Sequence, residues 1–133
     1  MKSLLGKLGV VLIGIAIFGN AEVCRADWKL FTEERGGGPK KFYDAESIIV
    51  TPEGNIRVWE LVTVPFQTEQ TPIQYKFLYD FNCVPREYRH LLTEERYPDK
   101  GFLEKDGDKK WCYIVPESPM EVIYKIICGK VKK

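Results

Sequence analysis

The run from Tyr75 to Cys83 constrains the fold more than any other segment. Tyr75, Phe77, Tyr79, Phe81 and Cys83 alternate there with Lys76, Leu78, Asp80 and Asn82. Successive strand residues point to opposite faces, so a period of two puts four rings and a thiol on one side. Lys76, Asp80 and Asn82 fall on the other, with Leu78 as the exception. A half-buried strand separates these residues, and its aromatic side has to meet a second apolar layer.

The flanking sequence supplies further strands. Trp28 to Glu34 reads as one, and Arg35-Gly36-Gly37-Gly38-Pro39 as the hairpin connection after it. No Gly-Lys-Ser/Thr follows these glycines, so they do not form a phosphate loop. Lys40 to Tyr43 is a short strand and Asp44 to Ser47 a turn. Ile48 to Thr51 pairs with Ile56 to Val64 across Pro52-Glu53-Gly54-Asn55. Val58, Trp59, Leu61 and Val62 make the longer partner apolar on both faces, which suits a central position. Glu87 to Tyr97 is the next strand, Asp99 to Asp108 a polar turn, and Trp111 to Val115 a last short strand.

The pattern then changes to a helix. Ser118-Pro119-Met120-Glu121 has a capping serine, a proline at the first helical position and a glutamate at the third. Met120, Ile123, Tyr124, Ile127 and Cys128 fall on one arc of about 140°. Val122 and Ile126 lie on the far side, and Gly129 fits the helix stop. The fold class is α+β: an antiparallel sheet of about six strands with one C-terminal helix packed on a face.

The N-terminus carries an export pattern. Lys2 and Lys7 precede an apolar run from Leu8 to Phe18, followed by small and polar residues. The run is short for a membrane span, and Gly9, Gly14 and Gly19 weaken it as an anchor. Residues 1–26 therefore read as a signal peptide and residues 27–133 as one domain. Cutting after Ala26 starts the mature chain at Asp27, with Ala21 as the competing site. Lipidation of Cys24 fits poorly, because Glu22 and Val23 stand where small residues belong. Removal of residues 1–26 turns the formal charge of +1 into −1. Both signs are interspersed along the remainder, so no basic footprint for nucleic acid exists.

Cys83 closes the aromatic strand face and Cys128 lies on the apolar helix arc. If that arc packs on that face, both sulfurs enter one layer, and export supplies the oxidising compartment. A Cys83–Cys128 disulfide is expected. Cys112 is left over, either buried as a small hydrophobe or paired with Cys24. There is no Cys-x-x-Cys, and His90 is the one histidine, so neither zinc nor c-type haem is expected, and no other cofactor.

No convergent catalytic set emerges. His90 ends the charged run Arg86-Glu87-Tyr88-Arg89-His90, without an evident nucleophile or orienting partner. Glu33-Glu34 and Glu94-Glu95 are consecutive strand residues that face opposite ways and read as surface charge. The aromatics Trp59, Tyr75, Phe77, Tyr79 and Phe81, with Trp28 and Trp111, read mainly as core and secondarily as a binding surface.

Several short segments, taken in order, carry a resemblance. They are Trp28-Lys29-Leu30, Phe42-Tyr43-Asp44, Arg57-Val58-Trp59, Phe81-Asn82-Cys83 followed by Tyr88-Arg89, Trp111 to Pro116, and Tyr124-Lys125 before Cys128. Across nearly all of residues 27–129 the chain resembles the surface-adhesin protein E-like family of small bacterial envelope proteins. The resemblance implies a sheet with a C-terminal helix tied to it by a disulfide, and a non-enzymatic role outside the cytoplasm. The adhesin that names the family binds host proteins such as vitronectin and laminin, but its contact segment has no residue-by-residue match here. The expected function is an exported binding module, periplasmic or at the cell surface, that contacts another protein. It meets the membrane only if Cys24 is lipidated or the signal stays uncleaved. The alternative is a small apolar-ligand binder using a groove between the helix and the aromatic strand face.

Overall fold

Strand-forming runs separated by turn residues give eight strands in the computed structural model, which describes residues 25–65, 72–98 and 101–131. The apolar export run and Cys24 lie outside the described residues. The strands are β1 (Trp28–Glu33), β2 (Lys40–Asp44), β3 (Ile49–Val50), β4 (Ile56–Thr63), β5 (Gln74–Asn82), β6 (Glu87–Tyr97), β7 (Gly101–Asp106) and β8 (Cys112–Tyr113), followed by helix α1 (Pro119–Val131). They form one antiparallel sheet in the order β1-β2-β4-β5-β6-β7, with β3 on β4 and β8 on β6.

Four local expectations change, the first being that the strand expected over Trp111 to Val115 shrinks to the two residues of β8. The stretch Asp99 to Asp108 contains strand β7, whose residues pair with β6 from Tyr97↔Gly101 to Leu92↔Asp106. All six β7 residues are exposed, and its charged half suits the edge of a sheet, so the composition resembles a turn. The strand expected over Ile48 to Thr51 shrinks to two residues. β2 takes the Glu60 to Thr63 half of one β4 edge, which leaves Ile56 and Arg57 for β3. Gly129 does not stop the helix, which runs on to Val131. A glycine inside a helix costs only about 1 kcal/mol, and the next turn is held by Lys130, whose Nζ lies 5.2 Å from the centre of the Tyr43 ring.

The hairpin turn before β4 forms as expected. Gly54 adopts φ +89°, a conformation that favours glycine, and its N–H donates to the Thr51 carbonyl at 2.9 Å. At the helix start, the Glu121 N–H donates to Ser118 Oγ at 3.3 Å, which is half of the capping box. The other half is replaced. The Glu121 carboxylate accepts from the Glu117 N–H at 3.2 Å and from the Arg86 guanidinium, so it ties the helix start to the β5–β6 turn.

The core lies on the sheet face under α1. Ile123, Ile127 and Cys128 of the helix arc are buried in one cluster with Tyr43, Ile56, Val58, Tyr79, Phe81 and Ile114. Cys83 and Cys128 form the expected disulfide, with Cα atoms 5.8 Å apart. The Tyr124 hydroxyl donates to the Cys83 carbonyl beside it. Cys112 is a free, exposed thiol.

Candidate functional site: the helix-free face of the sheet

Directly paired residues in an antiparallel ladder point to the same face, so the register sorts every strand side chain. Tyr79, Phe81 and their β4 partners Val58 and Ile56 face the helix. The opposite face carries Trp59↔Leu78↔Leu92, Arg57↔Asp80↔Arg89 and Leu61↔Lys76↔Glu94. Phe42 and Leu30 extend the last row across β2 and β1, and Trp28 pairs with Asp44. Trp111, ahead of β8, stacks on the Arg89 guanidinium at 4.6 Å. All three tryptophans of the chain thus share the face opposite α1, which carries no helix among the described residues, and all three are half-buried.

A charged cluster organises this face. The Asp80 carboxylate is fully buried and accepts from Arg57 Nε at 2.8 Å and Arg57 Nη2 at 3.1 Å. Arg89 adds bonds from Nε at 3.1 Å and Nη2 at 2.9 Å. Burial raises the cost of charging Asp80, but the hydrogen bonds and charges of Arg57 and Arg89 outweigh it and hold the carboxyl below its ordinary value. Strands β4, β5 and β6 are thereby joined through one aspartate, and the segment before β8 is added by Trp111 on Arg89.

Beside this cluster lies an open cleft of about 200 Å³, lined by Ala26, Trp28, Asp44, Trp59, Lys76 and Glu94. Lys76 Nζ stands 4.0 Å from Glu94 Oε1. Asp44 Oδ1 is occupied by the backbone N–H groups of Asp27 at 2.7 Å and Glu46 at 3.1 Å. A second cleft, of about 320 Å³, opens between Gly37, Gly38 and Lys40 and the end of β4 at Thr63 to Pro65. Its lining contains one charged side chain.

The residues singled out in the sequence divide between the two faces. Tyr79 and Phe81 are buried core under the helix, while Tyr75 and Phe77 continue their row in stacked contact at 5.7 Å and are half-buried. Trp59 belongs to the other face. His90 hydrogen-bonds Thr93 at 2.6 Å and packs against the rings of Phe77 and Tyr79. Glu94 and Glu95 do face opposite ways. Glu95, read as surface charge, is instead buried, accepting from the Tyr97 hydroxyl at 2.7 Å and from Lys105 at 3.2 Å. The Tyr97 bond, ahead of Lys105 and against burial, lowers its pKa.

Glu60 carried no sequence signal beyond a charge in an apolar strand. It is buried on the helix side opposite Tyr43 and Phe77, and burial pushes its carboxyl up to about 7 against the opposing pull of Lys41 and a Tyr79 hydrogen bond. Burial, with Glu60 next to it, also raises the Tyr79 hydroxyl. No group of three or more potential metal-ligating side chains occurs among the described residues.

No protein-family profile matches the chain, and no curated protein matches it in sequence. The fold does have a solved counterpart. The crystal form II structure of Haemophilus influenzae protein E superimposes with a TM-score of 0.59 at 14% identity, over 82% of this chain and 95% of that one. The chain carries a protein E-like fold.

Proposed function

We propose that this protein is an exported, non-enzymatic binding module of the bacterial cell envelope that contacts another protein through the helix-free sheet face. The observation that carries the reading is the gathering of Trp28, Trp59 and Trp111 with Arg57 and Arg89 on one open face. Tryptophan and arginine dominate the energetics of protein interfaces, because each covers large area and keeps a polar handle. The four-bond clamp on Asp80 keeps both arginines in place before any partner arrives. The Cys83–Cys128 disulfide and the protein E-like fold support a location outside the cytoplasm. No helix among the described residues is long and apolar enough to cross a membrane.

The apolar-ligand reading gains no support at the helix end of the aromatic row, where Tyr79 and Phe81 are packed against Ile123 and Ile127. The test of the leading reading is solid-phase binding of the purified, disulfide-bonded protein to defined extracellular proteins, with vitronectin and laminin as first probes. Saturable binding that Trp59→Ala weakens at least tenfold, and that Val122→Ser on the exposed helix side leaves intact, is the expected result. Binding unchanged by Trp59→Ala and Arg57→Ala together would move the contact to another surface.

A further inference from the structure

The cleft between Trp28 and Trp59 has a chemistry more specific than a protein-contact surface requires. We infer that it binds a single neutral sugar ring, a pyranose of a glycan, lying on the tryptophan faces with one hydroxyl inserted between Lys76 and Glu94. This site uses the proposed binding face but does not depend on a protein partner.

Size is the first argument. At about 200 Å³ the cleft falls below the roughly 300 Å³ at which sites for drug-sized ligands begin, so it takes one ring-sized group. The lining then selects among ring-sized groups. Trp28 and Trp59 line the cleft, and an indole face attracts the slightly positive C–H groups on one side of a pyranose. Glu94 and Lys76 stand 4.0 Å apart, well beyond the roughly 2.7–3.2 Å of a closed N–H···O bond. Each therefore keeps capacity for another partner. A hydroxyl is both donor and acceptor, so one sugar hydroxyl accepts from Lys76 Nζ and donates to the Glu94 carboxylate.

Other ligand classes fit less well. A cation meets Lys76, and the carboxylate that would attract it at the far wall, Asp44, already accepts two backbone N–H groups. An anion meets both Glu94 and Asp44. A purely apolar ring strips water from Lys76 and Glu94 and returns no hydrogen bond, which opposes its binding. A neutral ring with an apolar face and a hydroxyl rim matches the two indoles and gives both Lys76 and Glu94 a partner.

The test uses the disulfide-bonded chain with Ala26 retained, because that residue lines the cleft, and the methyl glycosides of glucose, galactose and N-acetylglucosamine as probes. Three tryptophans give three indole N–H signals in a nitrogen–proton correlation spectrum. The expected result is a saturable shift of the Trp28 and Trp59 signals with at least one glycoside, at a dissociation constant of about 1 mM, with the Trp111 signal unmoved. Lys76→Met and Glu94→Gln should each weaken that shift at least fivefold while the unfolding midpoint stays in place. No saturable shift with any of the three glycosides overturns the inference, as does an equal shift produced by N-acetyl-arginine amide, which would assign the cleft to basic side chains. A failure here leaves the plate assay with extracellular proteins unaffected, so the two readings fail separately.

Discussion

Arg57 Nε lies 2.8 Å from Asp80 Oδ1, and the aspartate it holds is fully shielded from water while the arginine side chain remains 35% exposed. The pair is thus asymmetric: the anion depends wholly on its arginines, whereas each cation keeps contact with solvent. Asp80→Ala strands two guanidiniums above an apolar strand, and we expect it to destabilise the fold by about 2–4 kcal/mol. Asp80→Asn preserves shape but supplies only one oxygen acceptor for four N–H donors, and should cost nearly as much. Urea unfolding with tryptophan fluorescence measures both, and a loss under about 0.5 kcal/mol, the level of an ordinary surface pair, would refute the clamp.

Acid titration separates this group from Glu60. Asp80 has a folded pKa below its unfolded one, so its contribution is complete above the unfolded value and is lost as pH falls through the folded one. Glu60 has the opposite sign. Its folded pKa of about 7 exceeds the ordinary 4.5, so stability is highest below that ordinary value and declines as pH rises through the interval to about 7. Glu60→Gln keeps an acceptor for the Tyr79 hydroxyl and should raise stability at pH 8 by up to about 3 kcal/mol, with no gain near pH 4. Unfolding midpoints across that range check it.

The Cys83–Cys128 bridge spans 45 residues of sequence. Chain-entropy reasoning gives a closed loop of that length about 4 kcal/mol, an upper figure. The double variant Cys83→Ser, Cys128→Ser should lose about 2–4 kcal/mol, and hydrogen exchange should show helix α1 releasing before the β4–β5–β6 ladders.

Gly107 sits directly on the β6 backbone. A β-carbon built there would stand 2.1 Å from the His90 carbonyl oxygen, and the Gly107 N–H donates to the Leu91 carbonyl at 2.9 Å. Gly107→Ala must push backbone apart and should destabilise by about 1–3 kcal/mol, seen as a lower Tm. Gly129→Ala, with open space around the same atom, should be neutral or stabilise by up to about 1 kcal/mol.

Thiol counting tests maturation. Cleavage after Ala26 removes Cys24, leaving the exposed Cys112 as one maleimide-reactive thiol per chain without reductant and three after reduction. Intact mass of the exported protein should match a chain starting at Asp27. A lipid adduct on Cys24, or a second disulfide to Cys112, would change both readings.

Much of the helix-side architecture was legible in the chain. Alternation from Tyr75 to Cys83 marks a strand with one apolar face, and the 3.6-residue arc from Met120 to Cys128 marks a helix with one apolar stripe. Two such stripes, each carrying a cysteine, have one economical arrangement, and the disulfide has formed within it. The face opposite α1 was not legible in the same way. Trp28, Trp59 and Trp111 lie far apart in sequence, and nothing in their neighbours says that they share a side.

These local signals reflect periods of two and 3.6, which the backbone imposes on any chain and which a sequence therefore displays. Register between strands is set by turn geometry and by competition among partners. Tertiary pairing alone placed Asp80 between Arg57 and Arg89, turned a charged stretch into the edge strand β7, buried Glu60 and Glu95, and gathered the three tryptophans. The strand and helix signals, the cysteine pairing and the export pattern belong to the sequence itself; which side chains meet on the open face was decided only when β4, β5 and β6 aligned.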